Sequence, residues 1–327
     1  MKKIRVGVIG AGHLGRFHTL NYAQIPEADL VGVMDVDKEK AERVAAEAQC
    51  NPFYSLEEIL NQVEAVSVVV PTDLHHEVGQ KVMDKGIHCL VEKPIAQNVK
   101  EAEDLVQMAN DKGVVLQVGH IERFNPAIRA LDEFNMQPQF IESHRLAPFN
   151  PRGTEVAVIL DLMIHDIDII LYLVKSPITH VDASGVAVVS DTIDIANARI
   201  RFQNGCVANL TASRISQKKM RKMRLFQKDT YIGVDFLNKQ ADVYQLSGDE
   251  NTSDMVLGEM GVGDKKKQIL YKQPVIPEKE GLRTELEIFL DAVRGNPSKQ
   301  GVSGKAGKAA LEIAMKVIDQ VNGSVKS

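Results

Sequence analysis

Apolar runs of five or six residues alternate with segments of helical period through the first 120 residues of the chain. The runs are Ile4 to Ile9, Leu30 to Met34, Ala65 to Val70, Ile87 to Val91 and Val114 to Val118, and helices are predicted between them near 13–24, 38–48, 75–84 and 98–111. Val66-Ser67-Val68-Val69-Val70 is apolar on both faces, as a strand must be when helices cover its sheet on either side. The pattern predicts a parallel, doubly wound sheet. After about residue 121 it changes to longer β-branched runs, interrupted by one strongly apolar helix over 156–174. Asn204-Gly205, between Ile195 to Phe202 and Cys206 to Leu210, is a two-residue hairpin signal because both residues tolerate positive φ. The sheet there is therefore predicted to be largely antiparallel. Helical period returns at Leu282 to Arg294 and about Gly304 to Val321, separated by Gly295-Asn296-Pro297. The fold class is thus α/β with two domains. A doubly wound domain is expected over 1–121 and an α+β domain with an open, largely antiparallel sheet over 122–327, its last helices being candidates to pack back on the first domain.

Composition narrows the classes. A chain of 327 residues that is 44% hydrophobic and 25% charged can bury a full core without disulfide or metal staples, and it is neither disordered nor of low complexity. The net charge of −5 gives no electrostatic drive toward nucleic acid or an anionic membrane, so neither is expected as a partner. Cys50, Cys89 and Cys206 are far apart and in no CxxC spacing, so neither a disulfide framework nor a metal site is expected, and a cytoplasmic location fits. The apolar stretch after Met1-Lys2-Lys3 is broken by glycines, His13 and Arg16 and reads as a strand, not a signal peptide. The 156–174 helix contains Asp161, His165, Asp166 and Asp168, too many ionisable groups for a bilayer span.

Directly after the first strand comes Gly10-Ala11-Gly12-His13-Leu14-Gly15, and Asp35 ends the second strand twenty residues beyond Gly15. A GxGxxG turn with a strand before it, a helix after it and an acid at the next strand end is the fingerprint of a dinucleotide-binding Rossmann domain. Backbone N–H groups at the helix start face the pyrophosphate, and the acid accepts from the adenosine ribose. Asp35 would also repel a 2′-phosphate, and Val36 and Asp37 bring no compensating arginine, so NAD is expected in preference to NADP.

A second set of residues suits chemistry on an alcohol. The fifth apolar run leads into Glu92-Lys93-Pro94, which puts a lysine at the carboxyl edge of the sheet, where open α/β folds bind ligands. Asp161 and His165 are four apart on the predicted helix and share a face, although a histidine in an apolar helix is more often a core residue. Gly86 to Pro94 resembles the EKP segment of the glucose-fructose oxidoreductase, inositol dehydrogenase and rhizopine-catabolism (GFO/IDH/MocA) family. Asp161 to Asp166 resembles its DxxxH helix, Val69 to His75 the loop after its fourth strand, and Val302-Ser303-Gly304 the start of its last helix. The resemblance implies hydride transfer between nicotinamide C4 and a secondary alcohol carbon of a sugar or cyclitol, with Lys93, His165 and Asp161 as catalytic residues. Either Lys93 or His165 can take the hydroxyl proton, while Asp161 holds a neighbouring hydroxyl or orients the site. Thr72 and His75 would lie beside the nicotinamide, and Glu92 would be a structural or ribose-side partner. The family also implies a homodimer or homotetramer.

One departure sets the chain apart from the inositol and glucose branches. Many relatives carry a glycine pair shortly before the DxxxH aspartate, where this chain reads Gly153-Thr154-Glu155-Val156. The segments Val118 to Pro126 and Leu160 to Asp168 instead resemble the branch that oxidises UDP-N-acetylglucosamine-type sugars at C3. Arg123, Asn125, Arg214 and Arg221 are candidate substrate-binding residues. The cluster Lys218, Lys219, Arg221, Lys222 and Arg224 reads either as a solvated face or as a rim for a substrate diphosphate. Three other functions stay open: an NAD-binding regulator or scaffold without catalysis, a dehydrogenase of inositol or a free sugar, and a reductase of a tetrapyrrole.

Overall fold

The computed structural model describes residues 2–151, 153–248, 255–298 and 301–324. The chain divides into two compact units, one of residues 1–124 with 279–312, the other of residues 125–278 with 313–327.

The first unit opens with β1 (Ile4–Ile9), α1 (His13–Tyr22), β2 (Ala28–Met34), α2 (Lys38–Ala48), β3 (Asn51–Phe53), α3 (Leu56–Leu60), β4 (Ala65–Val68), α4 (His75–Asp84), β5 (His88–Glu92), α5 (Val99–Lys112) and β6 (Leu116–Gly119). Its six strands are all parallel in the order β3-β2-β1-β4-β5-β6, the doubly wound topology read from the sequence. The order reverses between β1 and β4, so the turns after these two strands flank the crevice where such sheets bind ligands. Side-chain caps start three of the helices: Asp37 accepts from the Lys40 N–H, Ser55 from Glu58 and Asn98 from Glu101. β3 escapes the hydrophobic pattern because it has three residues, one of them Pro52, and only Phe53 is buried.

The second unit begins with the short α6 (Pro126–Arg129) and β7 (Phe140–Leu146), then a π turn (Ile159–Met163) leading into α7 (Ile164–Val174). Eight strands follow: β8 (Ile178–Val186), β9 (Ile195–Phe202), β10 (Val207–Ser213), β11 (Met220–Gln227), β12 (Thr230–Asp235), β13 (Gln240–Ser247), β14 (Met255–Met260) and β15 (Lys267–Lys272). They join β7 in a nine-stranded sheet, β14-β15-β13-β12-β11-β7-β10-β9-β8. Pairing is antiparallel except between β7 and β10. The Asn204-Gly205 hairpin forms between β9 and β10, but only Gly205 takes a positive φ, of 87°. Asn204 serves differently, its side chain accepting from the Cys206 N–H at 3.1 Å.

The chain then makes α8 (Gly281–Val293) and α9 (Gly304–Ser324). In the first unit, Leu286, Phe289 and Leu290 of α8 join Val6, Val8, Val33, Ala65 and Leu90 in one core cluster. Val302, just before α9, accepts through its carbonyl from the Val118 N–H at 2.9 Å, tying the segment to β6. Among the described residues no helix is long and apolar enough to cross a membrane.

Candidate active site

The Gly-rich turn has the geometry a pyrophosphate needs. Gly10 sits at φ 106°, and a Cβ there would lie 2.3 Å from the Val69 carbonyl oxygen, so only glycine fits. Gly15 lets α1 pack on the turn, since its Cβ would come within 1.8 Å of the Gly10 carbonyl oxygen. At Gly12 a Cβ would meet nothing within 4 Å, which leaves the approach open on the ligand side. His13 and Leu14 are exposed on the first turn of α1, and Gly12 caps that turn with no side chain, so its N–H groups are free to face an anion. Asp35 stands at the end of β2 with both carboxylate oxygens placed, Oδ2 accepting from the Ala11 N–H at 2.7 Å and Oδ1 from Asp37 at 2.9 Å. These residues fit NAD.

Glu92 ends β5 and Lys93 follows it at the carboxyl edge of the same sheet, half-buried. Glu92 Oε1 accepts from His18 Nε2 at 3.0 Å, and Oε2 accepts from the Lys93 N–H at 3.2 Å. Burial pushes the Glu92 pKa up, but the hydrogen bond and charge of His18, followed by the backbone N–H and charge of Lys93, outweigh it and hold the group below the usual carboxylate range. Thr72 opens a 3₁₀ turn after β4 and is half-buried. His75 is buried instead of open to a ligand, with Nδ1 2.8 Å from the Pro94 carbonyl and Nε2 2.9 Å from that of Val70. Burial lowers its pKa, and a neutral imidazole has one N–H, which serves only one of the two carbonyls at a time. His75 thereby staples the segment after β4 to the Lys93-Pro94 turn.

In the second unit Asp161 falls within the π turn and His165 in the first turn of α7. π turns recur inside helices at functional positions. Asp161 and His165 are half-buried, whereas Asp166 and Asp168 are buried, so the open and closed faces of this segment are distinct. Arg145 of β7 anchors the closed face. It is 1% exposed and donates to Asp166 Oδ1 from Nε at 3.1 Å and from a terminal nitrogen at 2.6 Å, while its guanidinium lies over the Phe236 ring.

Several cations and amides that read as substrate-binding candidates are engaged within the protein. Arg214, 5% exposed, donates to the carbonyls of Gly153, at 2.8 Å, and Val156, and lies 3.8 Å from Asp194. It therefore holds the segment entering the π turn. Asn125 caps α6 by accepting from the Ala127 N–H and donates to the Phe236 carbonyl. Arg123 is buried. The basic cluster is divided by strand alternation: Lys222 and Arg224 project to one face of β11, Arg221 to the other with buried Met223 and Leu225. Lys222 pairs with Asp235 and Arg224 with Glu142, so the cluster is not one rim. Lys218 and Lys219 are exposed in the turn before β11.

Residues 4–120 match the model of the GFO/IDH/MocA oxidoreductase family, NAD-binding Rossmann fold, and residues 137–230 match a GFO/IDH/MocA C-terminal domain. The chain belongs to the GFO/IDH/MocA family. It is an NAD-dependent oxidoreductase, as the family model and the Gly-rich turn agree. Among curated GFO/IDH/MocA proteins it is 41% identical to the UDP-N-acetylglucosamine 3-dehydrogenase of Acidithiobacillus ferrooxidans over 97% of both chains. It is 30% identical to the scyllo-inositol 2-dehydrogenase (NAD(+)) of Bacillus subtilis over 65% of this chain and 68% of that one. The solved structure of the Acidithiobacillus ferrooxidans enzyme superposes with a TM-score of 0.87 at 39% identity, covering 99% of each chain. A levoglucosan dehydrogenase in complex with NADH shares the fold, with a TM-score of 0.82 at 18% identity and 98% coverage of each chain.

Three features of this GFO/IDH/MocA chain went unread in the sequence: the His18–Glu92 contact, the Arg145–Asp166 pair and the Asp194 turn. Asp194 accepts from the N–H groups of Val188, Val189 and Ser190 and from the Ser190 hydroxyl. Burial pushes its pKa up, but these bonds prevail and hold it far below the usual range. No local pattern signals the two paired acids. His18, one helical turn beyond Gly15 in the fingerprint helix, was the available clue.

Proposed function

We propose that this oxidoreductase oxidises the C3 hydroxyl of UDP-N-acetylglucosamine or a closely related nucleotide sugar. The observation that carries the reading is the 41% identity over 97% of both chains to a protein named for that activity. NAD, when bound, supplies the hydride acceptor. Gly10, Gly12 and Gly15 would let the turn approach its pyrophosphate, His13 and Leu14 would present helix N–H groups, and Asp35 would hold the adenosine ribose.

An alcohol carbon gives up hydride only as its hydroxyl proton leaves, so the protein must hold the oxygen and accept the proton. Lys93 and His165 are the groups assigned to these two tasks, and Asp161 is assigned a neighbouring substrate hydroxyl. Thr72 belongs to the nicotinamide side, with His75 acting behind it as the staple. Arg221 is assigned to the diphosphate, on the strand face opposite Lys222 and Arg224. Binding the remote nucleotide supplies energy for orienting the sugar ring.

The test is NAD reduction with UDP-N-acetylglucosamine, other UDP-sugars, free glucose and inositols, each with a carbonyl trap. Turnover confined to UDP-sugars is the expected result. Oxidation of inositol or glucose with no UDP-sugar turned over would move the chain to another branch, and NAD binding without turnover of any sugar would favour a regulator.

We also propose that the chain acts as a homodimer or homotetramer in the cytoplasm. Phe140, Phe226, Tyr231, Tyr244 and Tyr271 form a half-buried row of rings across five adjacent strands, with centroids 5.0 to 5.9 Å apart, on the face of the sheet opposite Met223 and Leu225. A second copy of the same face is a fitting cover. Sedimentation equilibrium checks this, a monomer at micromolar concentration being the contrary outcome. Free thiols suit a reducing compartment: burial pushes those of Cys50 and Cys206 up to about 11.

A further inference from the structure

Glu92 and Gly119 are register partners at the carboxyl ends of β5 and β6. A Cβ on Gly119 would stand 2.7 Å from Glu92 Oε1, 2.8 Å from Cδ and 3.0 Å from Oε2. Any larger residue at 119 would displace the carboxylate, so the carboxylate occupies the space that glycine leaves. From the other side it is met by His18, whose side chain is 2% exposed while that of Glu92 is 12% exposed. His18 Nδ1 is buried without a hydrogen-bond partner among the described residues. Glu92 is therefore a carboxylate fixed between the Gly119 gap and the His18 ring, its Oε2 accepting from the Lys93 N–H.

We propose that Glu92, seated on Gly119 and held by His18, is a positioning residue that keeps Lys93 in its cationic form and fixes its backbone. The inference rests on Lys93 being a catalytic residue and divides the labour between Lys93 and His165. A lysine beside a fixed, water-poor carboxylate keeps its proton, because low local dielectric strengthens the attraction. Lys93 then holds the substrate oxygen as a charged donor, and the proton of the hydroxyl passes to His165. The groups that act on Glu92 are His18 from α1, Lys93 on its own segment and, after β4, His75 with Asp73 beside it. From β6 the partner position contributes Gly119, which carries no charge.

The charge state of Lys93 can be read without substrate. Competitive labelling of the folded, cofactor-free protein with acetic anhydride across a pH series, followed by mass spectrometry, reports the midpoint at which the amine becomes reactive. Removing a neighbouring anion lowers the affinity of an amine for its proton. Glu92→Gln, which keeps the shape, should therefore increase Lys93 reactivity about tenfold at a fixed pH below the midpoint, a shift of about one pH unit. Gly119→Ala and His18→Leu should shift the midpoint the same way, and His18→Gln, which retains a donor near the Nε2 position, should restore it.

Turnover of UDP-N-acetylglucosamine by the same variants supplies the second readout. Glu92→Gln should lower kcat by about tenfold or more with NAD affinity unchanged. A midpoint unmoved in Glu92→Gln overturns the inference, whatever the other variants do, because that substitution preserves volume. Near-normal turnover by Lys93→Ala would instead overturn the role of Lys93 itself, a separate outcome. If His18→Leu fails to fold, Glu92→Gln and His18→Gln still decide the matter.

Discussion

Charge is used differently in the two units. In the first, Asp35 and Glu92 stand at the ends of parallel strands, and their hydrogen bonds to backbone and to His18 leave them at the edge where ligands bind. In the second, Arg145 and Arg214 are sunk into the protein and consumed by Asp166, Asp194 and backbone carbonyls. The contrast follows from sheet geometry. A doubly wound parallel sheet has apolar faces, so polar chemistry collects at strand ends. A mixed sheet alternates its side chains between two faces, so a polar residue facing inward must find a partner there. A cation in such a sheet is therefore judged by the face it occupies before it is assigned a ligand.

The comparison breaks first at Arg145. Arg145→Leu should strip Asp166 of its partner and destabilise the protein by about 3–5 kcal/mol, measured by urea unfolding, whereas Arg145→Met with Asp166→Leu should cost much less. A loss under about 1 kcal/mol in the single variant would mean that the pair is not the anchor of α7. Next come Lys93→Ala and His165→Ala, each expected to cut kcat about 100-fold, or about 2.7 kcal/mol, while calorimetry shows NAD affinity retained. Unfolding of His165→Ala in place of slow turnover would return that residue to the core.

Asp194→Asn should remove about 2 kcal/mol of stability at neutral pH. The folded-state pKa is depressed, so the carboxylate contributes its full stabilisation above the unfolded value near ~4 and loses it as pH falls through the folded value. Unfolding midpoints from pH 7 down to acid should accordingly converge for wild type and variant, and a gap that stays constant would exclude the charge as the cause. Asp35→Ala is expected to narrow the preference for NAD over NADP by about tenfold in Kd, with tighter NADP binding by the wild type as the result against it. The smallest effect belongs to Lys222→Ala, which removes a half-exposed pair with Asp235 worth under about 1 kcal/mol. It should leave KM for the nucleotide sugar within about twofold, whereas Arg221→Glu should raise that KM about tenfold or more.

The first unit was legible in the sequence because its information is local. Strand, glycine turn, helix and terminal acid follow one another within Ile4 to Asp35, and Lys93 follows its strand directly. β3 and the five-residue α3 were missed, elements too short to offer a period to read. In the second unit the α7 segment and the β9–β10 hairpin were legible for the same reason. The acidic partners of Arg145 and Arg214 lie 21 and 20 residues away along the chain and belong to no shared motif, so tertiary structure alone reveals that these arginines are engaged. The basic run from Lys218 to Arg224 looked like one patch because adjacency in sequence was read as adjacency on a surface. Strand alternation separates Arg221 from Lys222 and Arg224.

The position of β7 sets the order in which the second sheet can assemble. β8, β9 and β10 form one chain-continuous meander and β11, β12 and β13 another, each held by pairings between sequence neighbours. β7 is the strand between them, parallel to β10 some seventy residues later and antiparallel to β11 some eighty residues later. Local pairings close short loops and form early, whereas these two close long ones. The two meanders should therefore gain protection against hydrogen exchange before β7 does during refolding, and the β7 step, which also buries Arg145 against Asp166, should carry the slow phase.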